Sequence, residues 1–183
     1  MRYNKTIILK NDKPCVLRNC EASDAKEVYD NFHLTHGQTD YLLSYPDENS
    51  YDADWEKLFL DKKEKSDREI EICAVVDNKI VGTAGIEAIG HKEKVKHRAE
   101  IGISIEKDYW GLGIGRALMG ACIECARKAG YTQVELNVVA DNISACSLYK
   151  SLGFVEFGRN PKGFRSRTVG LQEIVLMRLD LEY

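Results

Sequence analysis

The sequence predicts a mixed α/β domain, an antiparallel strand group followed by alternating helices and strands. Three observations lead there. Residues 71–105 contain short runs in which apolar residues alternate with small or polar ones, the period of a half-buried strand. From Gly113 to Ala129 the apolar residues Ile114, Ala117, Leu118, Ala121, Cys122 and Cys125 recur at helical spacing. After Gly130, strand-like and helix-like stretches alternate to residue 181.

In chain order, residues 15–19 read as a first strand. A helix follows, with Asp24 and Glu27 as a capping-box-like start and Ala25, Val28, Tyr29 and Phe32 on one face. Residues 35–54 read as loop, and Trp55, Leu58 and Phe59 mark a second amphipathic helix. Two strands, 71–76 and 80–89, are joined by the turn Asp77-Asn78-Lys79, and a charged connection leads to a third at 99–105. In that third strand Ala99, Ile101, Ile103 and Ile105 share one face, while Glu100, Gly102 and Ser104 share the other. One face packs, and the other is small with a single carboxylate. The long helix ends at Gly130, a C-terminal cap. A strand at 133–139, a short helix from about Asn142 to Leu152 and strands at 154–158 and 173–181 complete the pattern.

Bulk properties narrow the function. The 183 residues suit one compact domain without a repeat or linker. A net charge of −3 argues against nucleic acid as the main partner. No apolar run approaches the roughly 18 residues of a membrane helix, and the run near the N-terminus is too short for a secretory signal. The expectation is a cytoplasmic protein. Of the six cysteines, only Cys122 and Cys125 form a C-x-x-C, deep in the long helix rather than at its N-terminus where the dipole would stabilise a thiolate. They read as core, and no metal is expected. His33, His36, His91 and His97 show no triad pattern and read as solvated.

The strongest local signal is Trp110-Gly111-Leu112-Gly113-Ile114-Gly115-Arg116, between a strand and a helix. Glycines let several N–H groups converge on a ligand, and the helix N-terminus adds its positive dipole end. Both favour a pyrophosphate; a plain tight turn is the alternative. No G-K-S/T triplet follows, which excludes a Walker loop, and Arg116 and Leu118 stand where the dinucleotide fingerprint needs a small third residue.

This segment resembles the acyl-CoA loop of the GNAT N-acetyltransferase superfamily, Q/R-x-x-G-x-G/A, with Gly113 and Gly115 as the paired small residues and Trp110 in place of Gln or Arg. A second stretch, Asn142-Ile143-Ser144-Ala145-Cys146-Ser147-Leu148-Tyr149 through Gly153-Phe154, is similar to that family's N-x-x-A-x-x-L-Y-x-x-x-G-F segment. The resemblance covers about residues 71–181. It implies a central, largely antiparallel twisted sheet of about seven strands flanked by helices on both faces. The whole chain, 1–183, would be one acetyltransferase domain: residues 14–70 on the acceptor side, 71–158 as coenzyme-binding core, and 159–183 as C-terminal loop and strand. It also implies acetyl-CoA as cosubstrate, an amine on a small molecule or peptide as acceptor, and no covalent enzyme intermediate. The backbone of Ile103, Ser104 and Ile105 would pair with the pantetheine arm. Main-chain amides from Trp110, Gly111, Leu112, Gly113, Ile114, Gly115 and Arg116 would hold the diphosphate, and Asn142 would contact the arm. Dimers are common in that family, so a homodimer is compatible. A non-catalytic acyl-CoA-binding regulatory module on the same fold is the alternative.

Transfer to an amine needs acid–base help, because a lysine-like amine has a pKa near 10.4 and is mostly protonated at neutral pH. Glu100 is the candidate base, directly or through water; the alternative is a surface ion pair. Tyr149 is the candidate acid for the departing thiolate; the alternative is a place in the helix's packed face.

Acceptor identity is less legible. Residues 40–56 hold six carboxylates, Asp40, Asp47, Glu48, Asp52, Asp54 and Glu56, with no Lys or Arg; Tyr41, Tyr45 and Tyr51 would line an aromatic wall. Residues 158–170 carry Arg159, Lys162, Arg165 and Arg167. Placed at the site, the first segment favours a cationic amine and the second a carboxylate or phosphate, so the two pull toward different substrates; a solvated acidic loop with a tyrosine packing cluster, and a solvated basic loop, are the alternatives.

Overall fold

The computed structural model describes residues 1–48 and 52–181. In chain order the elements are β1 (Asn4–Ile8), β2 (Pro14–Asn19), α1 (Ala25–Gln38), α2 (Ala53–Lys65), β3 (Ile70–Val76), β4 (Lys79–Ala88), β5 (Arg98–Ile105), α3 (Ile114–Lys128), β6 (Gln133–Val139), α4 (Ile143–Ser151), β7 (Val155–Ser166) and β8 (Gly170–Asp180). The strands form one eight-stranded sheet in the order β1-β2-β3-β4-β5-β6-β8-β7. Every neighbouring pair is antiparallel except β5 and β6.

That parallel pair is the feature that matters. Arg98, Ala99 and Glu100 pair with Gln133, Val134 and Glu135, and the ladder stops there. Beyond this point β5 stays paired with β4 through Ile105, and β6 with β8 through Val139. The sheet therefore splits, leaving Ile101–Ile105 with an unpaired edge toward β6. Backbone groups on such an edge seek partners.

The two sheet faces follow the alternation read in β5. Ala99 and Ile101 are buried on the side of α3, with Ile72, Ala84, Ile86, Val134 and Leu136. α3 contributes Ile114, Leu118, Met119, Ala121, Cys122 and Cys125 to the same core, so the C-x-x-C is buried in packing. Leu118 is fully buried, and truncating it to Ala would cost about 2–5 kcal/mol. α1 and α2 cover the other face. The β3–β4 connection is a two-residue turn with φ of 51° at Asp77 and 63° at Asn78, the left-handed pair a twisted hairpin favours.

Several expectations change. β1 adds an edge strand. Helix α1 runs to Gln38, into the stretch read as loop. Asp24 does not cap α1 with its side chain; its carboxylate accepts Glu21 N–H at 2.8 Å and holds Arg18 at 2.6 Å. α2 turns Glu56, Leu60 and Lys63 to the interior and leaves Trp55 and Leu58 exposed, the reverse of the face its apolar residues suggest. Residues 158–170 are not a loop but most of a long hairpin, with β7 running to Ser166 and β8 starting at Gly170. His36 is buried, not solvated: it stacks on Phe32 at 3.6 Å, shares a 2.8 Å hydrogen bond with the Phe32 carbonyl, and burial lowers its pKa.

Candidate active site

The glycine-rich turn sits at the mouth of the split. Gly111 and Gly113 have φ of 76° and 100°, and a Cβ at either would meet nothing within 4 Å. Backbone conformation, not crowding, calls for glycine there. Gly113 is the N-cap of α3 and lends it no side chain, so the first-turn amides stay open to a ligand. Trp110 leaves the turn and donates its indole N–H to the Ile105 carbonyl at 2.7 Å, tying the loop to the end of β5. The Leu112 carbonyl accepts Lys10 N–H at 3.2 Å, so the β1–β2 turn braces the loop from behind.

The two sequence motifs meet at this mouth. A Cβ on Gly115 would lie 3.3 Å from Leu148 Cδ2 and 3.5 Å from Ile105 Cδ1, so α3, α4 and β5 converge where that residue has no side chain. Arg116 donates to Ser151 Oγ at 2.7 Å, a second strut between α3 and α4. Asn142 caps α4, its side-chain oxygen accepting Ala145 N–H at 3.2 Å. Ile103, Ser104 and Ile105 are half-buried on the unpaired edge.

The candidate acid and base stand apart. Tyr149 packs in the α3-side core beside Phe154, and burial pushes its hydroxyl up to about 12. Glu100 points to the opposite face, at the last paired position before the split. It faces Glu87 on β4 and Glu135 on β6, and has no hydrogen-bond or ion-pair partner among the described residues. Glu100 is exposed, yet partial desolvation of its carboxylate raises its pKa, and the charges of Glu87 and then Glu135 add to that. Both neighbours are themselves paired: Glu135 takes a two-pronged contact from Arg98 at 2.5 and 2.7 Å, and Glu87 binds Lys63 at 2.9 Å. Glu100 is thus the carboxylate of this row without a cationic partner among the described residues. The surface-ion-pair alternative does not hold.

The acidic loop and the basic hairpin, which seemed to favour opposite substrates, bind one another. Asp40 accepts hydrogen bonds from Ser166, from Thr168 at 2.7 Å and from the Tyr45 hydroxyl at 2.6 Å, which hold its pKa down. Arg167 Nη1 donates to both Asp47 carboxylate oxygens, at 2.8 and 2.9 Å, and the guanidinium lies 4.1 Å over the Tyr45 ring. Arg159 is taken by Glu156 and Glu173. The Tyr41 hydroxyl reaches the Asp141 carbonyl at 3.5 Å, beside Asn142. The 39–48 segment is therefore docked onto the β7–β8 tip and onto the start of α4. Tyr51 lies outside the described residues. Sequence reasoning missed Lys63, on the inward face of α2, and Glu71 and Glu87, whose positions depend on cross-strand register.

Residues 34–154 match the sequence profile of the acetyltransferase (GNAT) family. Among curated proteins, the chain is 30% identical over 99 residues to human N-acetyltransferase 8B, covering 54% of this chain and 44% of that protein. It is 34% identical over 79 residues to the ribosomal protein bS18-alanine N-acetyltransferase of Escherichia coli, covering 43% and 53%. The chain thus spans about half the length of these relatives. Among solved structures, a GNAT-family acetyltransferase from Streptococcus pneumoniae superposes with a TM-score of 0.87 at 28% identity, over 91% of this chain and 99% of that one. A phosphinothricin acetyltransferase from Sinorhizobium meliloti in complex with acetyl-CoA, 16% identical, shares the fold with a TM-score of 0.80, over 96% and 89%.

Proposed function

The chain belongs to the acetyltransferase (GNAT) family, and on that premise we propose that it is an N-acetyltransferase, a single domain that passes an acetyl group from acetyl-CoA directly to an amine. One observation carries the reading: the sheet splits between β5 and β6 at Glu100, and the glycine turn and the Asn142–Tyr149 segment meet at the mouth of that split.

In this reading the diphosphate lies on the amides of residues 110–116, where the α3 dipole and the absence of side chains at Gly111 and Gly113 both favour an anion. The pantetheine arm takes the edge of Ile103, Ser104 and Ile105 that β6 abandons, with Asn142 across from it. The acyl group then sits in the gap, reachable from both faces. The acceptor comes from the α1–α2 face. Its ammonium loses a proton to Glu100, whose raised pKa makes it a better base than an ordinary carboxylate. The nitrogen attacks the carbonyl, and a β5 amide stabilises the oxyanion. The C–S bond then breaks, coenzyme A leaves as its thiolate, and the new amide nitrogen gives up its second proton to that thiolate or to solvent.

Tyr149 approaches the sulfur from the other face. With its hydroxyl held up at about 12 it remains protonated, while an ordinary thiol has a pKa of about 8.5. Complete proton transfer from Tyr149 to the thiolate would run uphill. Its contribution is a hydrogen bond to the developing charge.

The test is thiol release from acetyl-CoA across a panel of amines. Release that needs both acetyl-CoA and an amine supports the transferase. Coenzyme binding without release for any acceptor would instead support a binding module.

A further inference from the structure

The sheet face beneath α2 carries charges that the transfer chemistry does not use. α2 points Glu56, Leu60 and Lys63 inward, one charged residue on each side of the leucine. The Lys63 side chain, 2% exposed, binds the Glu87 carboxylate at 2.9 Å, the Glu69 carboxylate at 3.5 Å and the Ile86 carbonyl at 3.3 Å. One ammonium is thus shared between two carboxylates before Glu71 and Glu56 are counted.

Glu71 occupies a cradle. It pairs across β3–β4 with Gly85, and a Cβ on Gly85 would stand 2.0 Å from Glu71 Oε2. Any other residue at 85 would displace that carboxylate. Gly85 pairs in turn with Gly102 on β5, where a Cβ would meet nothing within 4 Å. The floor therefore runs from the Glu71 carboxylate, seated over Gly85, across the bare backbone of Gly102 to Glu100, two residues along β5 from Gly102. On the diagonal from Gly85 to Glu100 the separation is roughly 7–8 Å.

Glu56 is the independent observation. It is 5% exposed and has no hydrogen-bond or ion-pair partner among the described residues. Burial pushes both carboxyl groups up to about 7; at Glu71 the Lys63 charge and a hydrogen bond from Thr83 oppose that rise, and the Glu56 charge adds to it. A buried carboxylate without a partner is costly unless it is neutral or receives a cation.

We propose that this site selects a diammonium acceptor: Glu71 and Glu56 hold the distal ammonium while the reacting amine stands at Glu100, a short alkyl spacer passing beside the seated Glu71 carboxylate and over Gly102. This rests on the transferase reading above and adds the substrate class to it. The acidic loop at residues 40–48 is not the basis, since Asp40 and Asp47 are already partnered.

The experiment compares α,ω-diamines of graded length with n-alkylamines of matched length, in steady-state thiol release by the wild type, Glu56→Gln and Glu71→Gln. The wild type is expected to favour diamines at least about tenfold in kcat/KM, with an optimum at a short spacer. Each substitution is expected to reduce that ratio about tenfold, through KM for the diamine. A wild-type ratio near one, which needs no variant to measure, overturns the proposal. So does a ratio that persists in both variants, which would mean that the carboxyl groups carry only protons. If no amine releases thiol, the transferase reading fails first. Calorimetric titration of diamines into the CoA complex then decides the site separately: binding lost in Glu71→Gln supports it, and no binding to the wild type overturns it.

Discussion

Replacing Glu100 with Gln removes the proposed base and leaves its shape. Near pH 7 an alkyl amine of pKa about 10.4 is free base in only about one molecule in 2,500, so a base that collects the proton has that much to offer. Positioned general bases contribute about 10²–10⁴ in rate. The lower and middle part of this range fits Glu100, because it sits at the gap with no competing partner and with its pKa raised by partial desolvation, Glu87 and Glu135. The expected loss in kcat/KM is about 10²–10³ near neutrality, shrinking to less than about tenfold near pH 10, where the amine deprotonates itself. Stability should move the other way. The folded pKa of Glu100 lies above the unfolded one, so its contribution is present at low pH and is lost as pH rises through the folded value. At neutral pH the ionised group is a burden, and Glu100→Gln should raise Tm. Rate profiles by thiol release from pH 6 to about 10, with thermal melts alongside, measure both. An equal loss of rate across the range, or a fall in Tm, would refute the reasoning.

Tyr149→Phe keeps the buried ring against Phe154, so folding and CoA affinity should change little while kcat falls about tenfold or more, consistent with one lost hydrogen bond to a charged group. An unchanged kcat would return Tyr149 to packing alone. Glu56 and Glu71, both with folded pKa values of about 7, bind protons more tightly in the native state between the ordinary carboxylate pKa and about 7. Their contribution to stability is full below the unfolded value and is lost as pH rises through about 7. Tm should therefore fall between pH 5 and 8, and the double variant Glu56→Gln, Glu71→Gln should flatten that slope; an unaltered slope would contradict the assignment.

The parts of the fold legible in the sequence are those where local chemistry and tertiary packing agree. In β5 the alternation of Ala99, Ile101 and Ile103 with Glu100, Gly102 and Ser104 reports a real two-faced strand, and α3 shows its stripe because that stripe faces one continuous core. The turn at Asp77-Asn78 and the helix stop at Gly130, with its φ of 77°, are chemical signals read from the residue type itself. Elsewhere tertiary structure overrides the local pattern. β1 is short, polar and mostly exposed at the sheet edge, so no alternation marks it. Residues 158–170 combine Gly, Pro and Arg in a loop-like composition, yet pair as a bulged hairpin far enough from the core to tolerate it. α2 misleads through its apolar residues: the carboxylates of Glu69 and Glu87 draw Lys63 inward, and Glu56 shares that helix face. For the site, the coenzyme-side residues stand in two contiguous motifs. The proposed acceptor side is assembled from cross-strand pairs, Glu71 with Gly85 and Glu87 with Glu100, which no linear spacing displays.

Amide NMR shifts on titration with acetyl-CoA, read beside calorimetry on the wild type and Gly113→Ala, address the coenzyme site itself. Alanine at 113 fits in space but must adopt a φ of 100°, a strain of about 1–3 kcal/mol that the turn relieves by turning its amides away. The expected result is one-to-one binding with shifts concentrated at residues 101–105 and 111–116, weakened about tenfold or more in the variant. Shifts that leave those two segments untouched, or an affinity that Gly113→Ala does not alter, would contradict the account.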